Sequence, residues 1–233
     1  MSSTALLIHL LRASPSRTPT LLQRLPDAAV HALLEASTPV TYSPFESVLR
    51  PGTASPPGVL AAGRLRIYAE SADGRQATIG YPERGDSVGL AQCFYRTVGV
   101  AIQAITEATV LHFDCALLKQ LLRDDPGVAL GVATVLAAQI QHWTWSLYGH
   151  ALGSGRERLA LQLLALGQRD ASGTRTVRLT NQELADAVGV AREHLTRLLR
   201  DLRSEGLVST SRGAVRLLDE AGLKQEAARL LRP

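Results

Sequence analysis

The run from Leu179 to Leu218, LTNQELADAVGVAREHLTRLLRDLRSEGLVSTSRGAVRLL, leaves few ways to fold. Its apolar residues recur every three or four positions, stop at a glycine, resume at the same spacing and stop at a second glycine. Two short helices joined by a tight turn satisfy that pattern. Thr180 followed by Glu183 has the spacing of a capping box, so the first helix starts there. Leu184, Ala185 and Val188 form its inner face, Gly189 permits the sharp turn, and Val190 packs beneath it. The second helix is expected from Ala191 to Glu205, with Leu195, Leu198, Leu199 and Leu202 inward and Arg192, Glu193, Thr196, Arg197 and Arg200 outward. Gly206 stops it. GLVSTSRGAVRLL then reads as a two-stranded wing turning near Arg212-Gly213.

That arrangement has a chemical use. The first turns of a helix laid in the major groove of DNA meet the base edges. Arginine can grip O6 and N7 of guanine, and glutamate can accept from the N4 amino group of cytosine. Arg192 and Glu193 are adjacent at the helix start and Arg197 lies one turn further on, so all three can reach one groove. Thr180, His194, Thr196, Arg200 and Arg212 complete the expected contact set. A protein-binding winged domain would also carry a charged helix. Capping box, glycine turn and wing together favour DNA. Charge agrees: residues 1–153 hold 11 Lys+Arg against 11 Asp+Glu, and residues 154–233 hold 14 against 10, so the whole net charge of +4 sits in the last third.

Upstream the texture changes twice. Residues 20–36 have helical apolar spacing. From Thr38 to Phe113 short apolar runs alternate with Gly, Pro and Asp-Gly, as expected of an antiparallel sandwich or barrel, with Asp73-Gly74 a hairpin turn. A short helix is expected over Asp114–Leu122, and Pro126 suits the first turn of a long one reaching Leu152. On it Ala129, Ala133, Leu136, Ile140, Trp143, Leu147 and His150 alternate steps of four and three, the seam of a two-stranded coiled coil. Val128, Val132 and Val135 make a second row that can pack on the β-domain. One buried helix in a monomer explains a single stripe equally well, but two apolar faces imply two partners. Gly153-Ser154-Gly155 breaks the helix as a hinge, and RERLALQLLALG resumes it. The expected domains are therefore 1–123, 124–153 and 154–233.

No apolar run is long enough to cross a bilayer, and no basic residue precedes the apolar stretch in MSSTALLIHLLRASPSR, so neither a membrane partner nor a signal peptide is expected. The expected compartment is the cytoplasm. Cys93 and Cys115 form no metal-spaced cluster, and in a reducing compartment no disulfide is expected between them. No nucleophile–base pair or phosphate loop is present, so no catalysis is expected.

The whole arrangement resembles the cyclic-AMP receptor / fumarate–nitrate regulator (CRP/FNR) family of transcription regulators. Arg192-Glu193-His194-Leu195-Thr196-Arg197 matches the family's Arg-Glu-x-x-x-Arg, and Gly85-Asp86-Ser87-Val88-Gly89 matches its Gly-Asp-x-x-Gly. The resemblance implies an α+β chain: an N-terminal β-roll, a long dimerisation helix and a C-terminal winged helix-turn-helix. It also implies a homodimer that binds palindromic duplex DNA with TGTGA-like half-sites, works with RNA polymerase and takes a small-molecule effector in the β-roll. Leu136, Ile140, Trp143 and Leu147 would form the dimer interface.

Departures from the family bear on the effector. Leu90 stands where nucleotide-binding members have a ribose-holding Glu, and Val98, Gly99 and Val100 stand where they have Arg-Ser-Ala or Arg-Thr-Ala. Trp143 and Thr144 replace small hydroxyl residues that touch adenine. Cyclic AMP is therefore not expected, although Arg96 lies close enough to serve a phosphate after a loop shift. Leu90, Arg96, Val98, Val100, Trp143 and Thr144 are the expected lining of an apolar effector pocket. The N-terminal cysteine cluster of iron–sulfur members is missing, so that cluster is not expected. Haem stays open through Cys93, His112, Cys115, His142 or His150, and the cofactor itself is undetermined. A constitutive regulator with no effector and a haem-based gas sensor are the alternatives.

Overall fold

The computed structural model describes residues 3–13, 19–70, 76–95, 99–169 and 173–228. Two units separate by their contacts: Met1–Arg75 with Ile79–Trp143, and Gln76–Thr78 with Thr144–Pro233. The main division falls inside the long helix rather than at residues 123/124 and 153/154.

The first unit opens with α1 (Ser3–Arg12), α2 (Leu21–Arg24) and α3 (Asp27–Glu35). The single helix expected over 20–36 is broken because Leu25 precedes Pro26 and is forced to extended backbone, with ψ 147°. Thr20 caps α2 in a box with Gln23. The Arg12 guanidinium spans the break, donating to the Leu22 and Leu25 carbonyls at 2.7 and 3.1 Å and to Asp27 at 2.6 Å.

Among the described residues eight strands follow: β1 (Thr38–Tyr42), β2 (Ser47–Leu49), β3 (Gly58–Ala62), β4 (Leu65–Glu70), β5 (Gln76–Gly80), β6 (Ser87–Val88), β7 (Ala101–Ala104) and β8 (Ala108–His112). They form two four-stranded sheets, ordered β1-β8-β3-β6 and β2-β7-β4-β5. Val48, Leu49, Leu60, Leu65, Val88, Ile102, Ala104, Ala108 and Val110 fill the space between them, as alternating apolar runs require. The Asp73-Gly74 turn lies outside the described residues. The β3–β4 turn needs Gly63: φ is +82°, and a Cβ there would stand 2.2 Å from the Glu107 carbonyl oxygen.

After β6, Gly89 turns left-handed (φ 68°) into a 3₁₀ turn, Leu90–Cys93, and Asp114 caps α4 (Cys115–Asp124), accepting from the Ala116 amide at 2.8 Å. Cys93 and Cys115 are joined by a disulfide, with Cα atoms 5.1 Å apart. This corrects the expectation of two unlinked cysteines. Spacing along the chain said nothing of the fold's placement of the 3₁₀ turn against the first residue of α4.

The long helix α5 runs Pro126–Leu152. Val128, Val132 and Val135 are buried, as expected, in a second core with Leu22, Val30, Leu33, Leu90 and Leu118. Among the described residues no helix is long and apolar enough to cross a membrane.

The second unit holds α6 (Gly155–Leu166), β9 (Gln168–Arg169), β10 (Arg175–Val177), α7 (Asn181–Val188), α8 (Arg192–Ser204), β11 (Val208–Ser211), β12 (Ala214–Leu217) and α9 (Glu220–Ala228). Its sheet is ordered β11-β12-β10-β9. The wing is thus the outer hairpin of a larger sheet, whose strands β9 and β10, like α9, were not anticipated. The break at Gly153-Ser154-Gly155 is a capped helix start: Ser154 and Glu157 form a capping box on α6.

Candidate nucleic-acid interface

The reading head folds as its local signals require. Thr180 and Glu183 satisfy each other's backbone amides at 3.2 and 2.6 Å. Gly189 is left-handed at φ 70°, so α7 ends there, and the Val190 amide returns to the Ala185 carbonyl at 3.1 Å. Helix α8 buries Leu195, Leu198, Leu199 and Leu202. Arg192, Glu193, Thr196, Arg197 and Arg200 lie exposed along its other side. Thr180 is exposed at the start of α7, and Arg212 is exposed at the wing turn, where Gly213 has φ 71°. Among the described residues no carboxylate pairs with Arg192, Arg197 or Arg212, which leaves three guanidinium groups for phosphate or base edges.

Three of the expected contacts also have partners within the chain. His194 is half-buried against the start of α6, where a Cβ on Gly155 would lie 2.9 Å from its Nε2, and its Nδ1 meets Arg197 at 3.4 Å. Its position suits it to orient Arg197. Arg200 lies 3.6 Å from Asp201, and Thr196 donates to the Arg192 carbonyl at 3.0 Å.

Sequence reasoning passed over the two arginines that hold this head. Arg156 binds Glu205, beside the end of α8, through Nη1 at 2.7 Å, and Glu226 of α9 through Nε at 2.8 Å. These two carboxylates raise its pKa. Arg158 donates to the Val188 and Gly189 carbonyls at 2.9 and 3.4 Å and to the Gly153 carbonyl at 2.7 Å. It thereby ties the segment before α6 to the turn before α8. The clue was their position: two arginines in the first turn of α6, unfavourable for the helix dipole and so in need of partners elsewhere.

The expected effector positions that the structure describes lie in different surroundings. Leu90 is 2% exposed within the helical core. Val100 is half-buried, Trp143 is half-buried on α5, Thr144 is exposed, and Arg96 and Val98 lie outside the described residues. Between the sheets, Val48, Leu49, Ser55, Pro56, Val88, Gly89, Ile102 and His112 line an open recess of about 10 Å³, which is no more than one water. His112 is fully engaged there: Nδ1 meets the Pro56 carbonyl and Nε2 the Tyr42 hydroxyl, each at 2.8 Å. A carbonyl only accepts, so Nδ1 carries the proton and Tyr42 donates to Nε2. His112 in this state, and Cys93 and Cys115 in their disulfide, do not fit a haem axial ligand. The His142 and His150 side chains lie outside the described residues.

Of the expected seam residues on α5, Ala133 and Ile140 are exposed. Leu136 packs against its own core rather than facing outward. The exposed line is Leu130 (70%), Ala133, Ala137, Ile140 (63%) and Thr144. The Leu147 side chain lies outside the described residues.

A β-sandwich, a long helix and a winged helix-turn-helix with an exposed Arg-Glu-x-x-x-Arg define a DNA-binding transcription regulator. Residues 39–125 match the cyclic nucleotide-binding domain family, and residues 157–226 match the Crp-like helix-turn-helix domain family. The chain is 32% identical over 177 residues to the transcriptional regulator LdrP of Thermus thermophilus, covering 74% of this chain and 87% of that one. It is 26% identical over 221 residues to the CRP-like cAMP-activated global transcriptional regulator of Mycobacterium tuberculosis, covering 89% and 96%. A CRP-family transcriptional regulator from Thermus thermophilus shares the fold at TM-score 0.66 and 30% identity, covering 81% of this chain and 96% of that one. The chain belongs to the CRP/FNR family of transcription regulators, which are not enzymes.

Proposed function

We propose that the protein is a cytoplasmic homodimer that binds palindromic DNA with TGTGA-like half-sites and acts with RNA polymerase. The observation that carries this reading is the shared exposure of Arg192, Glu193 and Arg197 on the outer face of α8. Arg192 and Arg197 supply two guanine-reading forks, and Glu193 supplies an acceptor for cytosine. The second copy docks along Leu130, Ala133, Ala137, Ile140 and Thr144, whose steps of three and four make a coiled-coil seam.

An effector other than a cyclic nucleotide, held in the β-roll, sets DNA affinity in this reading. Against cyclic AMP stand Val98, Gly99 and Val100, which carry no cation for its phosphate, and the small space between the sheets. That same small space favours a second reading, a constitutive regulator in which the β-roll is only a scaffold.

Fluorescence anisotropy with a TGTGA palindrome and single-base variants tests the DNA assignment. Arg197→Ala is expected to cost about 1–3 kcal/mol and to relax the preference at one guanine. Equal weakening on every sequence would make Arg197 a phosphate contact only and refute its role.

A further inference from the structure

We propose that Cys93 and Cys115 form a reversible redox modification site whose co-substrate is a hydroperoxide. Their Cα atoms, 5.1 Å apart, are within bridging range, and both residues sit in the apolar cluster of Leu90, Leu111, Phe113 and Leu118. That cluster packs through side chains with or without the sulfur–sulfur bond.

The pair is unequal. Cys93 is 3% exposed, whereas Cys115 is partly exposed at the first position of the ten-residue α4. A small oxidant meets Cys115 first. The Cys115 thiolate attacks a peroxide oxygen, the O–O bond breaks, and the other oxygen leaves as water or alcohol after taking a proton. Cys115 is then a sulfenic acid. The Cys93 thiol attacks that sulfur; the S–O bond breaks, and the oxygen leaves as water with the thiol proton. In sum, two thiols and one hydroperoxide give a disulfide, water and an alcohol (a second water for hydrogen peroxide). A dithiol reductant reverses the bond.

Beyond the burial of Leu90 and Cys93, the segment has few polar anchors. Gln92 ties the 3₁₀ turn to the preceding loop, accepting from the Ser55 amide at 2.8 Å and donating to the Thr53 carbonyl at 3.2 Å. The disulfide adds a tie to α4. Phe94 and Tyr95, just beyond, are 47% and 75% exposed and give the segment little buried area of their own. Reduction leaves the turn held to the strands but no longer bonded to the helices.

The test uses full-length protein, reduced with a dithiol and desalted, and a duplex that this protein itself selects from random sequence. Failure of the TGTGA assignment is thereby kept separate from failure of the redox site. One equivalent of hydrogen peroxide is expected to lower the intact mass by two hydrogens, and the dithiol to restore it without denaturant. Affinity for the duplex is expected to differ at least about 5-fold between the two forms, the lower end of ordinary allosteric coupling. Cys93→Ser and the apolar Cys93→Ala are expected to stop at a sulfenic acid on Cys115, trapped by a dimedone adduct, with the affinity change lost. Thiols that survive peroxide, an adduct on Cys93 in Cys115→Ser, or a bond that only denaturant opens to the dithiol would each overturn the proposal. So would affinities within about 2-fold, and so would reaction with a low-molecular-weight disulfide but not with peroxide.

Discussion

Replacing Arg158 with alanine is expected to loosen the reading head without touching a DNA-facing residue. The guanidinium serves three carbonyls, those of Gly153 at 2.7 Å, Val188 at 2.9 Å and Gly189 at 3.4 Å. A bond from a charged donor contributes about 1.5–3 kcal/mol when its partner is otherwise left without one. The long third bond is to an exposed residue, Gly189, and water replaces it, so two bonds count. Arg158 is itself only part-buried, which puts both at the lower end. The expected loss is about 3 kcal/mol, and at ~4–8 °C per kcal/mol for a domain of this size the C-terminal unit should melt more than about 10 °C earlier. Calorimetry of the full chain reads this directly. Arg158→Lys, which can serve one carbonyl, should recover about half. A melting point within about 2 °C of the parent, or full rescue by lysine, would show that the clamp contributes nothing and that the turn before α8 holds itself.

Three further outcomes are expected. Gly63→Ala demands φ +82° and places a Cβ 2.2 Å from the Glu107 carbonyl oxygen and 2.5 Å from the Ala108 Cα, both backbone, so at least about 4 kcal/mol should be lost; circular dichroism showing native melting would contradict this. Leu130→Glu with Ile140→Glu should give folded monomers in sedimentation, whereas Leu136→Glu, inside its own core, should melt early; a dimeric double variant would remove the seam from the exposed face. The Tyr42 hydroxyl is held above the usual phenol range by burial first and by Glu46 second, so the folded protein keeps this proton more tightly. That stability is present below about pH 10 and is lost as pH rises through the higher folded value; urea titrations across that range should lose this slope in Tyr42→Phe.

What could be read from the residues depended on how local the deciding interaction was. The two helices of the reading head were legible because Thr180, Glu183 and Gly189 settle their ends within a few positions of one another. The valine row of α5 was legible for the same reason, as one face with one period. The direction of Leu136 was not, since Ala, Leu and Ile occur on adjoining faces and only packing against Leu118 and its neighbours decides that Leu136 turns inward. The burial of Leu90 in the helical core was not legible, because it follows from the left-handed Gly89 that redirects the chain after β6. The disulfide is a tertiary fact, joining residues 22 apart through an intervening pair of strands. Strands β9 and β10 are two and three residues long in a polar stretch, too short for any periodicity to register.

The long helix has an optical consequence. The chain contains two tryptophans, Trp143 and Trp145, and both belong to α5, on either side of the boundary between Trp143 and Thr144 and the residues that follow it. Indole emission excited at the red edge of the protein's absorption therefore originates from a single turn of one helix, undiluted by reporters in the sheets or in the reading head. A label-free change in emission colour or lifetime on adding a duplex, an oxidant or a metabolite locates the disturbance at that turn, and a silent spectrum places it elsewhere in the chain.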